Sequence, residues 1–268
     1  MIDPEILAHY DLGLERDRLS RGVSTPIERI RTQEILDQVL PPPPARILDV
    51  GGASGIYASW LAAKGYAVHL IDPVPLHIEQ AQQVADSLSK PFSVALGDAR
   101  YLIAPDASAD AVLLLGPLYH LIDRADRVQA WKEAGRVVVP GGVVVGAAIS
   151  RFASLLDGLA EGVLDNPTFS AVVEADLETG IHLNPSERPE WFTTAYFHRP
   201  EELASEVTDS GLEFGGVLGV EGPGWLCATS VDGDNVDESV LRVARALESE
   251  PSVIGSSAHL LAIARRPG

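Results

Sequence analysis

Sulfur is almost absent from this chain. Its 268 residues include one cysteine, Cys227, and one methionine. A single thiol excludes an intrachain disulfide and suits a reducing compartment. No catalytic pairing surrounds Cys227, so it reads as a small packed hydrophobe. Basic residues are scarce as well: 20 Lys and Arg stand against 38 Asp and Glu, a formal charge of −18. Gripping a phosphate backbone takes basic surface that releases counterions. The balance therefore argues against DNA, RNA or an anionic membrane as partner. Long apolar runs are missing: no stretch approaches the roughly 20 residues of a membrane span. Met1-Ile2-Asp3-Pro4-Glu5 has neither the basic nor the apolar region of a secretory signal. The seven histidines show no spacing to Cys, Asp or Glu that suits a metal. These absences predict a cytoplasmic protein, monomeric or homodimeric, with a small molecule as its partner and no metal. With 46% hydrophobic residues, one large α/β domain is expected.

What is present begins with Arg46-Ile47-Leu48-Asp49-Val50-Gly51-Gly52-Ala53-Ser54-Gly55-Ile56. An apolar run ends in an acid, breaks into a glycine-rich turn and resumes as a helix. A second apolar run, Ala67 to Ile71, ends in Asp72. Glycines admit a ligand to the backbone, and the free N–H groups of a helix start point at it. A carboxylate at the end of the next strand suits a ribose hydroxyl pair. The chain is thus expected to bind an adenosine-containing molecule at the edge of a parallel sheet. The phosphate-binding Gly-Lys-Ser/Thr is absent, and Ala53 stands where the dinucleotide fingerprint needs its second glycine.

Asp49-Val50-Gly51-Gly52-Ala53-Ser54-Gly55 resembles the first motif, D-x-G-x-G-x-G, of class I S-adenosylmethionine-dependent methyltransferases. Val94-Ala95-Leu96-Gly97-Asp98-Ala99-Arg100 looks like that family's third-strand motif, whose aspartate accepts from the adenine amino group. Ala111 to Leu115 leads into Gly116-Pro117-Leu118-Tyr119-His120-Leu121. Arg136-Val137-Val138-Val139-Pro140-Gly141-Gly142-Val143-Val144 is similar to the hairpin before the family's fifth strand. The resemblance covers residues 45 to 150 through four ordered motifs, and the rest by architecture. It implies S-adenosyl-L-methionine as cofactor, with S-adenosyl-L-homocysteine as product. It also implies a cofactor site at Asp49, Gly51, Gly52, Gly55, Asp72, Pro73, Asp98, Ala99, Arg100, Leu115 and Gly116. Ala53 in place of the middle glycine sets a methyl group where the cofactor's methionine portion would lie.

Punctuation sets the organisation. Thr25-Pro26-Ile27-Glu28 reads as a capping box opening a helix to Leu40. Helices are expected over Ser54–Lys64, with Ile56, Trp60 and Leu61 inward, and from Pro75, with Ile78, Ala81, Ala85 and Leu88 inward. Others are expected from Asp123 to Val137, with Trp131 buried, and from Pro200 to Gly211. A stripe of Val236, Val240, Val243 and Leu247 predicts a further helix, and Ala258–Ala264 a last strand. The alternation predicts a doubly wound, Rossmann-like, mainly parallel sheet with helices on both faces. The resemblance implies seven strands. The single domain divides into a cover segment 1–24, a cofactor-binding half 25–149, an insertion 150–198 and a C-terminal part of the sheet 199–268. The insertion exceeds an ordinary connection. It reads as a helix over 151–162, a loop rich in Asn, Pro and Glu, and the aromatic run Trp191 to His198, together a lid over the sheet edge.

His120 follows the fourth strand at the edge where ligands bind in such sheets, and imidazole titrates near neutrality. It is the candidate base, with Tyr119 and Tyr10 as further catalytic candidates. Tyr10, Glu15, Tyr196, His198 and Trp225 are candidates for the acceptor site. Simpler roles stand beside these: His120 bonding the loop backbone, Glu15 pairing with Arg18, Trp225 packing. A nicotinamide-dependent oxidoreductase with a degenerate glycine turn, or a non-catalytic nucleotide-binding module, remain alternatives. The aromatic content of the lid points to a flat aromatic acceptor methylated on O, N or C. The whole-chain pattern is also similar to bacterial natural-product enzymes that methylate carbon 3 of an indole.

Overall fold

The computed structural model describes Ile6, Tyr10 and residues 25–268 except 187, 189, 190 and 228–235. Glu15 and Arg18 lie outside the described residues, as do the remainder of segment 1–24 and the side chain of Cys227.

The central strands are mainly apolar because both of their faces are covered. β1 (Arg46–Val50) buries Ile47 to Val50, and β4 (Ala109–Leu114) buries Ala109 and Ala111 to Leu114. β2 (Ala67–Asp72) and then β3 (Ser93–Leu96) pair in parallel on one side of β1. β4 and then β5 (Val138–Ser150) pair in parallel on the other. Parallel neighbours need crossovers; α2 (Ile56–Lys64), α3 (Pro75–Ser87) and α4 (Arg124–Val137) supply them. β9 (His259–Arg265) runs antiparallel beside β5, and β8 (Glu213–Gly219) antiparallel beside β9. Helices cover both faces. α4 and α7 (Pro200–Asp209) pack Trp131, Leu203 and Val207 on one side. α1 (Thr25–Val39), α2 and α3 pack Leu36, Leu61, Ala81 and Ala85 on the other. Among the described residues no helix is long and apolar enough to cross a membrane.

The sheet has nine strands rather than seven. Seven follow the expected plan; the other two come from the insertion. β6 (Ile181–His182) and β7 (Ala195–His198) form an antiparallel ribbon, and β7 pairs in parallel with Ile149 and Ser150 at the end of β5. The aromatic run expected in a lid is therefore partly sheet. The loop expected after residue 162 is largely a helix, α6 (Pro167–Thr179), which follows α5 (Ala153–Ala160). Asn166, read as a loop residue, is its N-cap: the side chain accepts from the Thr168 and Phe169 N–H groups at 3.0 and 3.3 Å. Phe169, Val172, Val173 and Asp176 form the buried stripe.

Smaller differences have physical causes. The expected hairpin over 136–144 is a bulge at the start of β5, where the register against β4 jumps between Ala109 and Ala111. Gly141, with φ 75°, donates its N–H to the Arg266 carbonyl. α2 starts at Ile56, not Ser54, and buries Ala58, Leu61 and Ala62, while Ile56 and Trp60 are partly exposed. On α8 (Glu238–Leu247) the buried residues are Leu241 and Ala244, whereas Val243 is exposed.

Candidate active site

The glycine turn after β1 and the turn after β4 touch. Gly51 has φ 72°, and its N–H donates to the Ile71 carbonyl at 2.7 Å. A Cβ on Gly116 would lie 2.4 Å from the Gly51 oxygen, so neither position has room for a side chain. Ala53 stands at φ 47°, a left-handed conformation that glycine adopts more cheaply. Beside these turns opens a cavity of about 270 Å³.

Most of the sequence candidates meet there. Gly51, Gly52, Asp72, Pro73, Asp98, Ala99, Arg100, Leu115 and Gly116 line the cavity, together with Tyr10, Tyr119 and His120. Asp49 and Gly55 do not. Gly55 precedes α2 as its cap, and Asp49 is fully buried beneath the turn with neither carboxylate oxygen hydrogen-bonded. Burial, with the Asp72 charge as a second cause, pushes the Asp49 carboxyl up to about 7.

Asp72 is braced by its neighbours. Its Oδ2 accepts from the Ala53 N–H at 3.0 Å, and Oδ1 from the Val74 N–H at 2.9 Å. The His77 ring donates from Nδ1 to the same Oδ1 at 3.0 Å, since a carboxylate only accepts. His77, buried in the first turn of α3, also lines the cavity. Asp98 accepts from the Arg100 backbone and guanidinium at 2.9, 2.9 and 2.6 Å, and Arg100 continues to Asp126. Burial raises the Asp98 carboxyl, and the Arg100 hydrogen bonds outweigh it, leaving it below the usual carboxylate value.

His120 closes a short turn, Leu118–His120, and the Tyr10 ring packs against both His120 and His77, at 5.3 and 4.9 Å between centroids. His120 Nδ1 lies 3.4 Å from the Thr194 carbonyl and its Nε2 2.5 Å from the Tyr10 hydroxyl. A carbonyl only accepts, so Nδ1 carries the hydrogen, and in the neutral ring Nε2 accepts from Tyr10. The Phe192 ring faces both His120 and Tyr119, at 5.8 and 6.4 Å between centroids. Phe192 itself has φ 67°, a strained conformation for a bulky residue.

Three acceptor candidates lie elsewhere. Tyr196 lies under the Arg127 guanidinium, 3.7 Å from ring centroid to its carbon. His198 is fully buried against Glu206. Trp225 packs with Ile27 and Leu241 and donates its N–H to the Ser256 carbonyl. In the sequence each reads as an aromatic or histidine near the edge, and in the structure each packs its side chain against an ion pair or an apolar cluster. His77 is not among the site candidates read from the sequence, and Phe192 and Thr194 enter there only as members of the aromatic run expected in the lid. His77 carried a usable signal, lying five residues beyond Asp72 in the first turn of a helix. Thr194 acts through its carbonyl, which no side-chain pattern reveals.

The histidines pair with acids in space although not in sequence: His77 with Asp72, His182 with Asp176, His198 with Glu206 and His259 with Glu221. Glu28, Glu221 and His259 bring ligand-type atoms within 4.8 Å of one another. Glu221 there accepts from the Ser257 hydroxyl, the His259 N–H and the His259 ring at 2.7, 3.0 and 2.5 Å.

A model of the methyltransferase domain family matches residues 47–142. The chain is 32% identical over 203 residues to a demethylmenaquinone methyltransferase of Deinococcus radiodurans, covering 73% of this chain and 79% of that one. It is 35% identical over 106 residues to a ubiquinone biosynthesis O-methyltransferase of Methylocella silvestris, and this match spans only 40% of either chain. A solved S-adenosylmethionine-dependent methyltransferase of Methanosarcina mazei shares the fold, with a TM-score of 0.59 at 20% identity over 87% of this chain and 97% of that one. Glycine turn, strand order and relatives agree: the chain belongs to the class I S-adenosylmethionine-dependent methyltransferases.

Proposed function

We propose that the protein transfers a methyl group from S-adenosylmethionine to the hydroxyl of a small aromatic acceptor. One observation carries this reading. A single cavity holds the Gly51–Gly116 contact, the two carboxylates Asp72 and Asp98, and the Tyr10–His120 pair. The contact of the two glycine turns leaves the backbone open to a ligand, as a nucleoside lying against it requires. Asp72 suits a ribose diol, and Asp98 with the Ala99 N–H suits an adenine edge. When bound, S-adenosylmethionine supplies an activated methyl group on a sulfonium.

The chain's own residues do the rest. Nε2 of neutral His120 takes the acceptor's proton, directly or through the Tyr10 hydroxyl that already bonds it. The Thr194 carbonyl holds the ring by its Nδ1–H, which keeps Nε2 as the accepting atom. Tyr119 and Phe192 offer aromatic faces beside His120 and suit a flat acceptor. Holding acceptor and donor in line converts a bimolecular encounter into an aligned one, where most of the acceleration of a methyl transfer lies. The names of the relatives speak of quinone methylation, which agrees with an aromatic acceptor.

Calorimetry tests the reading. S-adenosylhomocysteine should bind at micromolar levels, and NAD should give no saturable heat. Asp72→Ala should weaken the former by about 1–3 kcal/mol, the scale of hydrogen bonds to a charged group. Saturable NAD binding without a response to S-adenosylhomocysteine rejects the proposal.

A further inference from the structure

Arg127 is not among the residues that line the cavity, yet it is tied to the backbone of its wall. It lies in the first turn of α4 and is almost fully buried. Its Nη1 donates to the Leu121 carbonyl at 2.7 Å and to the Ile122 carbonyl at 2.6 Å. Leu121 and Ile122 line the cavity and follow His120 directly. A carbonyl pair gathered by one guanidinium nitrogen cannot rotate without losing both bonds. The turn that presents His120 is therefore clamped from behind.

The clamp is itself held. Nε of Arg127 donates to Glu206 Oε1 at 2.7 Å, and Glu206 lies on α7 with no exposed surface. The other Glu206 oxygen lies 3.4 Å from His198 Nε2. The Tyr196 ring covers the guanidinium face at 3.7 Å. Tyr196 and His198 both belong to β7, the strand that the insertion adds to the sheet. A planar fork suits this set, with an acceptor at one edge, two carbonyls at another and a ring on its face; a lysine ammonium lacks that geometry.

We infer that Arg127 is a positioning residue: through the Leu121 and Ile122 carbonyls it fixes the cavity wall beside His120, braced by Glu206 and Tyr196. The inference rests on the reading of the cavity as a cofactor site. It also gives Tyr196 and His198 an indirect role, supporting the site without touching a ligand.

The test separates positioning from plain stability. Arg127→Lys keeps a cation beside Glu206 and loses the two-carbonyl grip. Glu206→Gln keeps an acceptor for Nε and leaves the grip in place. Both are measured well below their own melting temperatures, by calorimetry with S-adenosylhomocysteine. Arg127→Lys is expected to bind about tenfold more weakly than the wild type, equivalent to ~1.4 kcal/mol. Glu206→Gln is expected to bind within about twofold of it, since a neutral acceptor still holds Nε. Tyr196→Phe, which keeps the ring under the guanidinium, should also bind like the wild type. If Arg127→Lys folds and binds as tightly as the wild type, the inference is overturned. If Glu206→Gln loses as much affinity as Arg127→Lys, general destabilisation explains both and the inference also falls. If the wild type fails to bind S-adenosylhomocysteine at all, the cofactor reading falls, and this inference with it.

Discussion

Asp49 carries a cost that its neighbours do not relieve. Its carboxyl, ordinarily near 3.8, rises to about 7 because the charged form is stripped of water and faces Asp72. Between those two values the folded state holds a proton that the unfolded chain has released. Stability contributed by the protonated acid is complete below the unfolded value and is lost as pH climbs towards 7. At ~1.4 kcal/mol per pH unit the loss approaches roughly 4 kcal/mol. Asp49→Asn removes this term. Melting curves of the ligand-free protein from pH 5 to 8 should show wild type falling relative to the variant; parallel curves would exclude the mechanism. His120 calls for a different measurement. His120→Ala should leave S-adenosylhomocysteine affinity nearly unchanged while turnover drops by ~10²-fold or more, the usual scale of a lost general base. Turnover that survives within a few-fold means alignment alone drives the transfer. Collapse of cofactor affinity instead moves His120 into the cofactor site and makes Tyr10 or Tyr119 the better base.

At the scale of elements, the insertion has the clearest lesson. Its second helix is masked in the sequence because Asn, Pro and Glu read as loop composition as well as a helix start. Asn166 followed by Pro167 is a cap and a first helical residue. Gly180, at φ 77°, ends the helix. Asn166→Ala should cost about 1 kcal/mol, read as a lower urea midpoint with an unchanged slope. A change below a few tenths of a kcal/mol would show that packing of Phe169 and Val173, not the cap, holds α6. The strands were easier. β1, β2, β4 and β9 are mainly apolar, as buried strands demand. The ribbon β6–β7 is short, and its polar members His182 and His198 are buried by pairing with Asp176 and Glu206. Hydrophobic periodicity cannot register residues that are buried through hydrogen bonds.

For the whole molecule, the sequence made legible what depends on local chemistry. The glycine turn, the acids that end β2 and follow β3, and the helices on both faces all have short-range signatures. Nine of the eleven cofactor candidates line one cavity. Asp49 and Gly55 stand apart because a motif records both the residues that meet a ligand and those that shape the turn beneath it. The acceptor side was less legible, since it is assembled from parts far apart: Tyr10, His120, Phe192 and Thr194 converge only through the fold. The 13 residues of β5 make that convergence durable. Val143 to Gly146 pair with both β4 and β9, and Ile149 and Ser150 pair with β7. β5 thus carries both β4, which leads into the His120 turn, and β7, which follows Thr194, and it fixes their spacing along the strand at ~3.3 Å per residue. The helices α5 and α6 lie in the chain between β5 and the β6–β7 ribbon and form no part of that spacing. Changes in the length of these two helices are therefore expected to leave the spacing between the His120 turn and Thr194 as it is.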